Sequence, residues 1–241
     1  MPQDVRTMHR IAAFIIAAAA LGAPAAANDA AHPTVVELYQ SQGCSSCPPA
    51  IANINLLADR PDVLALTFAV TYWDQLGWKD TFARPEFTQR QWDFAHAGER
   101  GNVATPQTIV NGRVVTNGGD RAQLIAAIRS ADRRDGGPAI SASAGRVTIG
   151  NGAAAVKAGG GPATIWLVRY DPRAIAVPIR AGENGGRTIV HRNVVRSLSR
   201  IGQWAGRETV VRTPPPGDPR LRSAILVQSG SGGPILAAAR I

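Results

Sequence analysis

Apolar residues in the first half of the chain fall into short blocks with two kinds of spacing. Residues 35–39 and 63–72 are nearly continuous apolar runs, as in strands that are covered on both faces. Between them, Ile51, Ile54 and Leu57 recur at helical spacing. These segments predict a β-α-β unit with parallel strands and a right-handed crossover.

The following pattern extends this unit. A helix is expected over residues 85–97, and Asn111-Gly112 is a two-residue hairpin signal between strands at 107–110 and 113–116. Asp120 is a suitable N-cap for a last helix that carries Leu124 and Ile128. The predicted order is β-α-β-α-β-β-α.

The pattern of apolar and polar residues changes at residues 135–138, Asp-Gly-Gly-Pro. Beyond this break, Gly, Pro and Asn separate seven short β-like runs, at residues 146–149, 163–170, 175–179, 188–195, 208–212, 224–228 and 235–239. Such spacing favours a small antiparallel sandwich. We therefore predict an α/β fold with two domains, residues 28–134 and a β-sandwich-like domain at 135–241; one larger domain is the alternative.

The first residues are typical of a signal peptide. Arg6 and Arg10 precede an apolar run at residues 11–21, and small residues continue to Ala27, after which cleavage is expected. The run is shorter than the roughly 20 residues that a membrane-spanning helix needs. The interpretation is export to the periplasm or the medium, without stable membrane insertion after cleavage.

Charge narrows the range of partners. The chain of 241 residues has a formal net charge of +9. Its basic residues are scattered, without the clustered runs or interleaved aromatic residues of a nucleic-acid surface. A well-solvated surface explains the charge better than a nucleic-acid partner does, although the charge also suits acidic partners or anionic membranes.

The chain has two cysteines, Cys44 and Cys47, and export places them where disulfides persist. They stand between a predicted strand and a predicted helix, so that the Cys44 sulfur lies near a helix N-terminus, where a thiolate is favoured. Cys47, one turn onward, is placed to resolve a mixed disulfide by intramolecular attack. This exchange needs no metal or other cofactor.

Other interpretations of the cysteine pair remain open. A disulfide that closes so small a loop constrains the unfolded chain little, so it is a poor structural cross-link. Structural zinc needs four ligands. Copper would need a histidine with both sulfurs, and His32, His96 and His191 are isolated in the sequence. An inert disulfide and copper handling are the alternatives to redox exchange.

Pro48 and Pro49 follow the pair directly. They remove two amides and restrict the residues before them, so the helix is expected to begin late. Cys44 then feels a weaker helix dipole, which predicts a less acidic thiol and a more reducing pair.

The β-α-β-α-β-β-α order, the Cys44-Ser45-Ser46-Cys47 motif and Thr105-Pro106 together resemble the thioredoxin superfamily. The resemblance implies that Pro106 is a cis-proline facing the cysteines and that Thr105 backbone groups pair with an extended substrate. An ordinary trans proline is the alternative.

Glu37 is an acid in an otherwise apolar strand. Thioredoxin-like proteins commonly carry an acid here, one residue closer to the first cysteine. If Glu37 is buried beneath the pair, its carboxyl can relay a proton during resolution. An edge-facing, solvated carboxylate is the alternative.

Longer motifs are similar to one bacterial secreted family, catalogued as a thioredoxin-like domain of unknown function. They cover most of the chain beyond the leader, at residues 35–50, 72–80, 105–112, 182–187 and 191–196. The family implies a fold and no substrate.

The loop at residues 72–80 is expected to border Cys44, because parallel strands open their carboxyl ends on one side of the sheet. Trp73 and Trp78 there offer an apolar binding wall, and Asp74 and Lys79 supply orientation or charge. Tryptophans that only fill space between helices are the alternative.

Polar residues that stand out in the second domain are Glu183, Arg187, His191 and Arg192. We assign this domain to partner binding or to covering the redox face. The predicted function is an exported thiol-disulfide oxidoreductase acting on protein or small-molecule thiols and disulfides. A non-catalytic envelope binding protein and a periplasmic copper-handling protein are the alternatives.

Overall fold

A computed structural model describes residues 32–131, 137–153, 156 and 160–241. The predicted leader, and the predicted domain boundary at residue 134, lie outside the described residues. The helices are α1 (Pro48–Leu57), α2 (Pro85–Ala97) and α3 (Arg121–Ser130). The strands are β1 (Thr34–Gln40), β2 (Val63–Ala69), β3 (Gln107–Val110), β4 (Val114–Thr116), β5 (Ile140–Ser143), β6 (Arg146–Ile149), β7 (Ala163–Asp171), β8 (Ile175–Pro178), β9 (Thr188–His191), β10 (Val194–Trp204), β11 (Thr209–Arg212), β12 (Arg222–Ser229) and β13 (Ile235–Arg240).

The first half has the predicted element order. Strand β1 pairs in parallel with β2 and antiparallel with β3, and β3 pairs antiparallel with β4 through the Asn111-Gly112 turn. Both turn residues have positive φ, which this hairpin type requires. Asp120 caps α3, since its Oδ1 accepts hydrogen bonds from Ala122 N at 2.8 Å and Gln123 N at 3.0 Å.

The second half does not form a separate sandwich. Strands β7, β10, β12 and β13 extend the same sheet, whose order is β13-β12-β7-β10-β2-β1-β3-β4. The junction is the parallel pairing of Val194 with Thr67, supported by the hydrogen bond from Asn193 Nδ2 to Ala65 O at 2.8 Å. The result is a mixed α/β fold built on one large mixed sheet.

A second, three-stranded sheet of order β11-β6-β5 covers part of this large sheet. Val147 and Ile149 of β6 pack with Trp204 and with alternate residues of β7 and β12. The C-terminal half therefore does have two β layers, but one layer is shared with the N-terminal half. Sequence periodicity cannot reveal such sharing, because a buried strand looks the same in either sheet.

The run predicted as one strand at residues 188–195 is interrupted. Asn193 has a φ of 49°, in the left-handed region that asparagine tolerates better than most residues. The chain therefore turns between β9 and β10. Strand β9 pairs with β8 in a two-stranded hairpin, and Asn55 of α1 donates to Val190 O at 2.8 Å.

The large sheet carries a core on each face. Val36 and Leu38 of β1 pack with α1, α3 and both cysteines. Val35 and Tyr39, which point the other way because side chains alternate along a strand, pack with α2 and the C-terminal strands.

A buried ion pair lies in this second core. Arg90 of α2 donates from Nε to Glu37 Oε2 at 2.7 Å, from Nη2 to Glu37 Oε1 at 2.8 Å, and from Nη1 to Gln228 Oε1 at 2.9 Å. The Tyr39 hydroxyl also donates to Glu37 Oε2, at 2.7 Å. The side chains of Arg90 and Glu37 are only 4% and 1% exposed, so each charge is stabilised by the other and not by water.

Replacing one member of this pair is therefore expected to be costly. Arg90→Leu should lower the free energy of unfolding by about 3–5 kcal/mol, because Glu37 is left as an unpaired buried charge. Urea denaturation measures the loss. Arg60→Leu, which breaks the partly exposed pair with Asp62, should cost less than about 1 kcal/mol. A similar cost for both variants would contradict this prediction.

Candidate functional site

The two cysteines lie in the turn between β1 and α1. Cys44 and Cys47 form a disulfide with their Cα atoms 5.4 Å apart. Both residues are fully buried, whereas Ser45 and Ser46 between them are exposed. Cys47 N donates to Cys44 O at 3.1 Å, which closes the turn.

Helix α1 begins at Pro48, directly after the pair, so the first proline is itself helical and the expected late start is wrong. Cys47 is its N-cap residue and has helical dihedrals, φ −77° and ψ −31°, which the expected restriction before a proline had argued against. Pro48 and Pro49 occupy the first two helical positions and have no N–H. Ile51 N is already bonded to Cys47 O at 3.0 Å, so the helix offers the pair few free amide donors.

The Thr105-Pro106 peptide bond is cis, in agreement with the prediction. Ser46 Oγ lies 3.5 Å from Thr105 O, so the segment faces the cysteine turn. Trp73 Nε1 donates to Thr105 Oγ1 at 2.7 Å. The structure thus brings together the cysteines, Thr105-Pro106 and the first tryptophan.

The second tryptophan also borders the turn. Trp78 Nε1 donates to Gln42 Oε1 at 2.9 Å, and both Trp73 and Trp78 pack against the core that contains the cysteines. The rings of both tryptophans are half-buried, so they contribute to packing and also border the site. Lys79 is exposed.

Asp74 and Asp80 hold the conformation of the loop at residues 72–80. Asp74 Oδ1 accepts from Asp80 N at 3.0 Å, and Asp80 accepts from Gln42 N at 2.7 Å and Phe82 N at 2.8 Å. Burial raises the pKa of Asp80 to about 6, against the opposing effect of its backbone hydrogen bonds. Asp74 thus orients this loop, and Asp80, for which the sequence predicted no role, joins it to Gln42.

Glu37 is not brought to the cysteines. Its carboxylate lies on the opposite face of the sheet and is bound by Arg90 and Tyr39. Val36 and Leu38 occupy the face beneath the pair instead. This placement argues against the proton relay, and it also differs from the solvated alternative, since Glu37 is buried.

Two residues of the second half complete the site. Asn184, which is fully buried, donates from Nδ2 to Gln42 O at 2.9 Å and to Cys44 O at 2.8 Å. Glu183 Oε2 accepts from Ser45 N at 3.0 Å. The sequence signal for these two residues was the glycine-flanked segment 182–186. The structure shows why glycine is needed at its start: Gly182 has a φ of 72°, and a Cβ there would lie 3.2 Å from Trp78 Cβ.

The other polar residues noted in the second half lie apart from the pair or only support it. Arg187 Nη1 donates to Asn184 Oδ1 at 3.2 Å. Arg192 pairs with Asp59 on the surface. His191 is buried against Phe82, neither ring nitrogen has a hydrogen-bond partner among the described residues, and burial lowers its pKa to about 4.

The described residues define a mixed α/β protein with a two-cysteine site at the end of its first strand. The chain belongs to the family described as "Protein of unknown function (DUF1223)", whose model matches residues 35–228. No curated protein matches the chain significantly.

Two solved structures are similar. The X-ray structure of protein AGR_C_4864 from Agrobacterium tumefaciens is 28% identical, with a TM-score of 0.70, covering 86% of this chain and 93% of that one. HBP35 of Porphyromonas gingivalis is 12% identical, with a TM-score of 0.59, covering 87% and 74%. The second likeness concerns the fold alone.

Within the described part of the chain, no helix has the length and apolar character needed to cross a bilayer. Likewise, the described residues include no group of three or more His, Cys, Asp or Glu side chains arranged to hold a metal ion.

Removing the Asn184 amide should loosen the cysteine turn. Asn184→Ala leaves two carbonyls without this donor and should lower the free energy of unfolding by about 1–3 kcal/mol. It should also speed reduction of the disulfide by dithiothreitol, measured by thiol labelling. Asn151→Ala, at an exposed site, is the control. Equal reduction rates in the two variants would show that Asn184 does not hold the turn closed.

The raised pKa of Asp80 predicts a pH dependence of stability. The folded state holds the proton more tightly than the unfolded state does, so ionisation destabilises the fold as the pH rises from about 4 to about 6. Relative to Asp80→Asn, the wild type should lose about 2–3 kcal/mol over this interval. Urea unfolding of both proteins at several pH values measures the difference in their stability. His191 contributes an opposite pH dependence, which is the same in both proteins and therefore cancels. A flat difference would contradict the assignment.

Proposed function

We propose that the protein is an exported thiol-disulfide oxidoreductase with a thioredoxin-like N-terminal region. The observation that carries this proposal is the Cys44–Cys47 disulfide at the junction of β1 and α1, facing the cis Thr105-Pro106 bond. The β-α-β-α-β-β-α order on which the resemblance to thioredoxin rests is also the order of the first seven described elements, β1 to α3.

The proposed chemistry needs the cysteine pair in its dithiol form, which an external dithiol supplies, and a substrate disulfide. After losing its proton to solvent, Cys44 attacks one substrate sulfur, forms a mixed disulfide and releases the first substrate thiolate, which takes a proton from solvent. Cys47 then attacks the Cys44 sulfur and releases the second substrate thiolate, which takes the Cys47 proton. The substrate is reduced, the pair is oxidised, and an external dithiol restores it.

The reducing direction is favoured by the environment of Cys44. Pro48 and Pro49 deny the pair two helix amides, and burial disfavours a charged sulfur. A poorly stabilised thiolate makes the dithiol state less favourable and the disulfide more favourable. We therefore expect the pair to donate electrons more readily than to accept them.

Thr105, Trp73 and Trp78 form the proposed substrate wall. Thr105 is half-buried and held by Trp73, so its backbone is fixed beside the exposed Ser46. Leu76, between the two tryptophans, is 56% exposed and adds an apolar contact. This combination suits an extended polypeptide that carries a cysteine.

The cellular setting is part of the proposal. The leader at residues 1–27 suggests the periplasm or the medium, where protein and small-molecule thiols and disulfides are the partners. A non-catalytic envelope binding protein is the second candidate, because both cysteines are fully buried in the disulfide form. Exchange therefore requires local opening of the turn, which proteins can reach at a modest free-energy cost.

A trapping experiment separates the two candidates. Cys47→Ala cannot resolve a mixed disulfide, so it should accumulate partners bound through Cys44, visible as reductant-sensitive adducts on non-reducing gels. Cys44→Ala, the matched control, should trap several-fold less. If Cys47→Ala traps no partner and the wild-type pair does not cycle with dithiols, the enzyme proposal is wrong.

A further inference from the structure

The carboxylate of Glu183 lies beside the first cysteine. Its Oε2 accepts from the backbone N–H of Ser45 at 3.0 Å, and Ser45 is bonded directly to Cys44. Hydrogen bonding from Ser45 lowers the pKa of Glu183, so the side chain is ionised at neutral pH. An anion is thereby held one residue from the sulfur that the proposed function makes the nucleophile.

The next residue, Asn184, holds the contact between Glu183 and Ser45 in place. Asn184 is fully buried, and its amide holds Gln42 O at 2.9 Å and Cys44 O at 2.8 Å. The segment that carries Glu183 is therefore attached to the cysteine turn on both sides of Gly43. Glu183 itself is exposed, but the buried Asn184 beside it limits where its carboxylate can lie.

This arrangement removes a donor that a thiolate would use. Cysteine thiolates are stabilised by nearby N–H groups and positive charges. The Ser45 N–H is taken by Glu183, and the two helix positions after Cys47 are prolines. The hydroxyl of Ser46, with Oγ 3.3 Å from Cys44 Sγ, remains as a donor.

Other charged groups around the turn act at longer range. Asp80 contacts the turn by accepting a hydrogen bond from Gln42 N at 2.7 Å. Arg187 contacts it indirectly, by donating to Asn184 Oδ1 at 3.2 Å. Lys79 is exposed to solvent. Among the described residues, Glu183 is thus the charged side chain that bonds within the Cys-Ser-Ser-Cys motif itself.

We propose that Glu183 is a positioning residue that disfavours the thiolate form of reduced Cys44 and thereby makes the cysteine pair a stronger reductant. The inference rests on the proposed function, because it assigns the second half of the chain a role in setting the direction of exchange. Its physical basis is the loss of one N–H donor together with repulsion between two anions.

The acidity of one thiol tests the proposal directly. In a Cys47→Ala background, Cys44 is the one titrating thiol, and its ultraviolet thiolate absorbance can be followed with pH. Glu183→Gln keeps an oxygen that can accept from Ser45 N and removes the charge. It should lower the Cys44 midpoint by about half a pH unit, because Glu183 is exposed to solvent and water screens its charge.

Three further measurements separate charge from structure. Glu208→Gln, an exposed site elsewhere, should leave the midpoint unchanged. Glu183→Asp should keep the midpoint nearer that of the wild type. Added salt should lower the midpoint in the Glu183 protein and change it less in Glu183→Gln, because ions screen the repulsion.

The redox consequence is measured with both cysteines present. Glu183→Gln should shift the dithiol–disulfide equilibrium several-fold toward the dithiol in glutathione buffers, where tenfold corresponds to about 30 mV. An unchanged or higher Cys44 midpoint would overturn this inference whatever the activity. A lowered midpoint in a protein that traps no partner would instead retain the role of Glu183 and defeat the oxidoreductase proposal.

Discussion

The amide of Asn184 is the interaction on which the site depends. One buried Nδ2 holds two carbonyls of the cysteine turn, Gln42 O and Cys44 O, although more than a hundred residues separate the partners in sequence. A buried carbonyl without a donor is costly, so this contact fixes the distance between the two halves of the chain. With Glu183 on Ser45 N, it makes the second half part of the cysteine site.

The shared sheet explains how that contact arises. Strand β10 lies beside β2, with Asn193 bound to Ala65 O, so the β8–β9 hairpin that precedes β10 is placed against α1. The turn before β9 then reaches the end of β1, where the cysteines lie. Around the same end, Thr105-Pro106 and the tryptophan loop complete the surroundings. The fold thus brings four separate chain segments to one turn.

Local signals predicted the parts of this structure that depend on neighbouring residues. The cysteine spacing, the Asn111-Gly112 hairpin and the Asp120 cap each follow from a few adjacent residues, and the resemblance supplied the cis Pro106. Features that depend on contacts between distant parts of the chain were not predicted. Strand β1 is apolar on both faces, so nothing in its pattern shows which face Glu37 occupies. The sharing of one sheet and the contacts of Asn184 arise from pairing over long sequence separations.

The proposed exchange requires a disulfide that is buried and nonetheless reacts in the folded protein. The most direct measurement is the equilibrium of the native protein, expressed without residues 1–27, with graded dithiothreitol buffers, followed by fluorescence of the tryptophans that border the turn. A reversible two-electron transition without loss of secondary structure is predicted. A disulfide that stays oxidised until the protein is unfolded by denaturant would contradict the account and leave the pair as an inert cross-link.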